Sequence, residues 1–191
     1  MSKRLKRQFY TRDTLRVAKD LLGKKLVKGD KKGKIVETEA YIGPQDKAAH
    51  FYQGKKTERN KVAFKQGGFV YIYLCYGIHW MLNITTDQEN PECVLVRALE
   101  PVDKGARKLS DRKGGSQLCC NGPGKLTDWM GLDKDYYGED LVESERLWLE
   151  DGDQIKKDQI VSDRRIGIDY AEEWADKPWR FYISGNDYVS A

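Results

Sequence analysis

Glu37, Glu39 and Tyr41 recur at every second residue, and after a Gly-Pro turn comes His50, one of only two histidines. On a strand such spacing puts alternate side chains on one face. Ile35, Glu37, Glu39 and Tyr41 then look one way, and Val36, Thr38, Ala40 and Ile42 the other. The second set is the apolar one and is expected to pack on a core. That leaves the acids facing a cleft flanked by Ile35 and Tyr41. A carboxyl shielded by an aromatic ring holds its proton more tightly and suits general acid or base work. The same pattern also describes an edge strand with solvated glutamates, and the strand alone does not choose between them.

The elements that must position these groups follow from the pattern on either side. Residues 11–23 (TRDTLRVAKDLLG) read as a helix capped by Thr11, with Val17, Ala18, Leu21 and Leu22 on one face and Gly23 as its stop. KKLVKG and KIVETEAYI read as strands around the turn at 29–33. DKAAHF reads as a short helix begun by Asp46. GGFVYIYLCYGIHWMLNITT has the β-branched and aromatic density of a hairpin turning at Tyr76-Gly77. CVLVRALEP is a buried strand, GPGKLTDWMGL a helix with Pro123 in its first turn, and LWLEDG, RRIGID and WRFYISG three short strands. No regular crossover helices separate the strands. The fold class expected is α+β, a single domain over residues 1–191 with a curved, largely antiparallel sheet, flanking helices and a protruding hairpin. Residues 1–10 read as a basic N-terminal arm, free to be flexible.

Composition narrows the function. The 191 residues carry 34 Lys or Arg against 30 Asp or Glu, but residues 1–34 alone hold 13 basic and three acidic side chains. A basic segment beside a mildly acidic body suits a phosphate backbone, or is simply a solvated lysine-rich surface. No apolar run approaches a membrane span. The basic N-terminus has no apolar stretch behind it, so no secretory signal is expected. Cys75, Cys93, Cys119 and Cys120 lack paired spacing, which argues against zinc or a disulfide framework and for a cytoplasmic protein, nucleoid-associated if bacterial. GPGKL fails as a phosphate loop, because Cys119 and Leu126 stand where glycine and Ser or Thr are needed. No dinucleotide fingerprint occurs, His50 and His79 lack metal-ligand spacing, and no serine sits in a nucleophile elbow. No cofactor and no metal are expected.

Tyrosines are the remaining signal. Tyr71, Tyr73 and Tyr76 crowd one hairpin, where a buried phenol must find a partner and a Phe or Leu would pack more simply. Aromatic faces in basic surroundings suit a stacked nucleobase. At this point five segments in order, VETEAYIGPQDKAAH, FVYIYLCYGIHWMLNI, CVLVRALEP, CNGPGKL and RIGI…EWADKPWRFY, resemble the 3-methyladenine DNA glycosylases of the alkyladenine type. The resemblance runs from about Leu15 to Val189.

The resemblance implies a monofunctional enzyme that flips a damaged purine out of duplex DNA and hydrolyses its glycosidic bond. It implies Glu39 as general base, with Arg97 positioning the attacking water together with the Ile166 carbonyl. The extruded base is expected between Tyr41 on one side and Tyr73 with His50 on the other, with Tyr71 as the hydroxyl partner of His50. Asn83 is expected to crowd the purine 2-position, and Tyr76 to wedge into the minor groove. Glu37 is assigned a structural role, and His79 packing on the hairpin. The expected partner is double-stranded DNA containing damaged purines, with no membrane and no obligate protein partner, the chain acting as a monomer. YQGKKTERNKVAFK and TTDQENPE follow the family only loosely, which leaves the preference among 3-methyladenine, hypoxanthine and ethenoadenine open. Two other readings stay in view: a non-catalytic nucleic-acid-binding module, and a hydrolase of free nucleosides.

Overall fold

The computed structural model describes residues 3–87, 89–102 and 119–190. The α-helices among the described residues are α1 (Arg7–Tyr10), α2 (Thr14–Asp20) and α3 (Pro123–Met130). The strands are β1 (Lys25–Lys28), β2 (Lys31–Tyr41), β3 (Val70–Cys75), β4 (His79–Thr85), β5 (Cys93–Pro101), β6 (Trp148–Glu150), β7 (Ile160–Asp163) and β8 (Arg180–Ile183). They form one curled sheet in the order β3-β4-β5-β2-β1-β6, with β8 joined to β2 and β7 to β8. Every named pair is antiparallel. The domain is α+β, as its mixed pattern without crossover helices predicts.

β2 organises the sheet. One edge pairs with β5 along most of its length. The other is shared: Lys31–Lys34 pair with β1, and Glu37–Glu39 with β8. Pleating sorts the side chains to two sides. Val70 and Ile72, Leu82 and Ile84, Val94 and Val96, and Ala40 enter the main core with Val17 of α2, Leu21 and Leu22 just after it, and Leu126 and Met130 of α3. The hydroxyl of Thr38 donates to the Ala18 carbonyl at 2.9 Å and fastens α2 to the sheet. Tyr71, Cys93, Tyr41 and Tyr73 face the other side, where Ala49, Phe51, Val62 and Ala63 form a smaller cluster over them.

Several expectations are corrected. α2 is capped by Asp13, whose carboxylate accepts from the Arg16 N–H at 2.8 Å, and Thr11 instead closes α1. Gly23 does follow the helix, at φ +84°, where a Cβ would meet the Asp153 carbonyl oxygen. DKAAHF is a tight turn and not a helix. Asp46 accepts from the Ile42 and Ala48 N–H groups there and so stabilises the turn. RRIGID is not a strand: β7 ends at Asp163, and Arg165 and the φ +77° of Gly167 carry the chain inward.

Residues 3–10 lie docked along β6. Leu5 N–H donates to Leu149 O, Arg4 to Val142 O and Ser144 O, and Arg7 to Gly67 O and Asp140. Much of the early positive charge is likewise spent internally. Lys28 reaches Met130 O and Gly131 O at the α3 C-terminus, where a cation also complements the helix dipole, and Lys24, Lys32 and Lys34 pair with Asp151, Glu150 and Glu100.

Candidate active site

The site grows from an irregularity in the β2–β5 pairing. Ile35 is opposite Leu99, Glu37 opposite Ala98 and Thr38 opposite Val96, so Val36 is extra on one strand and Arg97 on the other. Such bulges re-aim side chains. Ile35 joins Val36 in the core and does not flank the acids. Glu37, Glu39 and Arg97 meet on the opposite face, the two carboxylates fully buried and Arg97 nearly so.

The two glutamates have different company. Glu37 accepts from Arg97 Nε (3.0 Å), Arg180 Nη1 (3.1 Å), the Ser190 hydroxyl (2.9 Å) and the Ser190 N–H (2.8 Å). Glu39 Oε1 accepts from the Ile166 N–H at 2.8 Å and faces Arg97 Nη1 at 3.1 Å, while its Oε2 accepts from the Tyr41 hydroxyl at 2.9 Å. It is thus the N–H of Ile166 that reaches Glu39. Every neighbour of Glu39 donates, as an anionic carboxylate requires, so its surroundings are more than the aromatic shield that the strand pattern suggests. Burial works against the charge of Arg97, but Glu39 and Glu37 beside it outweigh this and hold the guanidinium protonated.

Tyr41 links the carboxylates to a small cavity. Burial and the adjacent Glu39 raise its hydroxyl well above the usual tyrosine range, so it stays a donor. The cavity, about 20 Å³, is lined by Tyr41, His50, Tyr71, Tyr73 and Asn83 together with Ala48, Phe51 and Cys93. All five expected base-contacting residues therefore meet there. His50 Nδ1 and the Tyr71 hydroxyl are 2.7 Å apart, and the His50 and Tyr73 rings have centroids 4.5 Å apart. Burial, reinforced by the Arg59 guanidinium, pushes the His50 pKa down to about 4, so the imidazole is neutral at physiological pH. Asn83 donates to Met81 O and accepts from the Cys93 thiol, which fixes its amide.

Tyr76 stands apart at the hairpin tip, 93% exposed. Tyr76 and Gly77 adopt φ values of +49° and +73°, and Ile78 N–H returns to Cys75 O at 3.0 Å. A bulky residue in this region is uncommon and strained, and such residues concentrate at functional sites. His79 packs its ring against Gly124 of α3.

Sequence reading missed two residues behind the pocket. Arg165 and Asp46 form a fully buried pair with contacts of 2.5 and 2.9 Å, and the guanidinium carbon lies 4.8 Å from the Tyr41 ring centroid. Arg165 thereby backs the ring that faces the cavity. The only sequence signal was its place in RRIGI, which a strand reading hid. Among the described residues no cluster of His, Cys, Asp and Glu is placed to hold a metal ion, and no helix is long and apolar enough to cross a membrane.

Comparison with known proteins gives the family. The family model for methylpurine-DNA glycosylase matches residues 8–187. A protein of Natranaerobius thermophilus provisionally named a 3-methyladenine DNA glycosylase is 44% identical, covering 96% of both chains. Proteins of the same provisional name from Clostridium perfringens (46% identical, 98% of both chains) and Methanocella arvoryzae (45% identical, 97% of this chain and 95% of the other) are similar over nearly their whole lengths. The chain belongs to the methylpurine-DNA glycosylase family.

Proposed function

We propose that this hydrolase of N-glycosyl bonds in DNA is monofunctional, flipping alkylated or deaminated purines of the 3-methyladenine, hypoxanthine and ethenoadenine class from the duplex before cleavage. The observation that carries the reading is the single hydrogen bond from Tyr41, a wall of the aromatic cavity, to Oε2 of the buried Glu39. It puts a base-stacking surface and an anionic carboxylate side by side.

A carboxylate offers about four lone-pair sites. On Glu39, Ile166 and Arg97 occupy those on Oε1, and Tyr41 occupies one on Oε2. The remaining site on Oε2 holds the nucleophilic water. As the bond from C1′ to the base lengthens, its electron pair leaves with the base and the sugar becomes oxocarbenium-like. The carboxylate stabilises that charge, and takes the water's proton as the oxygen bonds to C1′. Arg97, itself held by Glu37, fixes the orientation of Glu39. A methylated base is already cationic, so it departs neutral, and a cation stacks well on tyrosine. Neutral His50 does not repel it.

The cavity now takes about one water, so a purine enters by parting His50 and Tyr73 from Tyr41. Tyr76 fills the gap left in the stack. Among the described residues no lysine lines the cavity, which is in keeping with hydrolysis to an abasic site without strand cleavage.

The test is base release from duplexes carrying one hypoxanthine or ethenoadenine, and from methylated DNA. Wild type should release free base without nicking. Glu39→Gln should bind damaged duplex nearly as well and release base on the order of 10²–10⁴-fold more slowly. Equal loss of binding and release would remove the role given to Glu39. Tyr76→Ala should weaken action on duplex but not on a free nucleoside; equal effects would favour a nucleoside hydrolase. Salt-sensitive binding without any release would leave a non-catalytic binding module.

A further inference from the structure

A second exposed aromatic is tied to a wall of the cavity. Tyr170 lies in the 3-10 helix Asp169–Trp174, 68% exposed, and its hydroxyl donates to the Ala48 carbonyl at 3.4 Å. Ala48 is itself a cavity wall. Burial raises the hydroxyl's pKa; Arg165 opposes the rise, while Asp46, Tyr76 and Cys75 add to it.

Its backbone is held there at a cost. Glu172, within the same helix, adopts φ +52° and ψ −130°, outside the regions favoured by residues with a Cβ. Strain of this kind persists only where the surroundings impose it. They do so here: Lys47 pairs with Glu172 at 2.5 Å and Glu173 at 3.1 Å, Arg165 donates to Trp174 O at 3.1 Å, and Ala171 packs with Ala48 and Ile168. The segment is fastened to the 46–50 turn at several points, yet the residue it presents leaves most of its ring in water. Core packing does not need such a tyrosine. On the hairpin, Leu74, Tyr76 and Ile78 are exposed as well. Exposed apolar side chains thus stand both on the hairpin and on the segment tied to the 46–50 turn.

We infer that Tyr170 is a substrate-positioning residue, packing its ring on the nucleotide that flanks the extruded one while Tyr76 fills the vacated place. This rests on the glycosylase reading above. The two tyrosines then hold opposite lips of the opened duplex. The hydroxyl bond to Ala48 aims the ring, and the aromatic face makes the contact.

The experiment compares wild type with Tyr170→Phe, Tyr170→Trp and Tyr170→Ala. Affinity is measured for a duplex carrying a tetrahydrofuran abasic analogue, and single-turnover base release is followed on a hypoxanthine duplex as a function of enzyme concentration. Tyr170→Phe and Tyr170→Trp keep a ring and should bind within about twofold of wild type, whereas Tyr170→Ala should lose about tenfold, the scale of one stacking contact. In release the loss should appear in the half-saturating enzyme concentration more than in the plateau rate. Tyr170→Ala binding as wild type would overturn the inference. So would Tyr170→Phe and Tyr170→Trp both falling with it, which would reduce Tyr170 to a structural tie to Ala48. If Tyr170→Ala does not fold, the Phe and Trp pair still decides. No base release by wild type would remove the glycosylase reading but leave the affinity comparison to judge Tyr170.

Discussion

Two glutamates two residues apart reach different ends through their partners. Glu37 has Arg97, Arg180 and two groups of Ser190 around it, which fits a residue that fastens, while Glu39 meets Ile166, Arg97 and the cavity wall Tyr41. Sequence pattern could put both acids on one face, but not rank them. The ranking depends on Ser190 and Ile166, more than a hundred residues away along the chain, and no local periodicity encodes such neighbours. Arg165 and Asp46 were hidden for the same reason. His50 is the residue whose charge is most open to measurement. With its pKa pushed down to about 4 by burial and Arg59, its imidazole NMR signals should remain those of the neutral ring from pH 8 to pH 5. A titration midpoint near 6.5, the ordinary value, would contradict the burial, and would put a positive charge on the cavity wall.

Among elements, the strands other than β7 were legible and the irregular segments were not. β3, β4, β5 and β8 are dense in β-branched and aromatic residues, and alternation correctly separates Val70 and Ile72 from Tyr71 and Tyr73. The bulge at Val36 and Arg97 breaks that alternation, so the sequence assigns Ile35 to the wrong face. A one-residue slip cannot be read from a repeat of two. DKAAHF and RRIGID were misread because Asp46 and Arg165 serve each other instead of their local element. The hairpin turn offers a direct trade between stability and use. Asn-Gly is the pair favoured where both central residues have positive φ, whereas this chain places Tyr76 there, 93% exposed and without packing to lose. Tyr76→Asn should stabilise the protein by about 1 kcal/mol in urea unfolding, while weakening its hold on damaged duplex. Lower stability would show that Tyr76 packs in solution after all.

At the scale of the molecule, charge is directed inward. The basic first 34 residues suit a phosphate backbone or a solvated surface, and of them Arg4, Arg7, Lys24, Lys28, Lys32 and Lys34 have partners within the fold. One buried acid sets a pH dependence of its own. Glu92 accepts from the Thr14 hydroxyl at the start of α2, and burial, with Asp87 and Asp13 nearby, raises its pKa to about 7. The protonated form is thus favoured on folding. Its contribution is complete below about 4.5 and is lost as pH rises through 7. Glu92→Gln should therefore gain stability over wild type at pH 8, at most about 3 kcal/mol, and little at pH 4. Urea unfolding at the two pH values checks this, and a gain independent of pH would refute it. The spread of the site along the chain also has a consequence in time. The β3–β4 hairpin closes over a turn of a few residues, whereas Glu37 waits for Ser190, Glu39 for Ile166 and Asp46 for Arg165. Contacts between distant residues form late because long loops must close first. A refolding chain thus has the hairpin that carries Tyr76 before its carboxylates have partners, and chemistry is the last property it acquires.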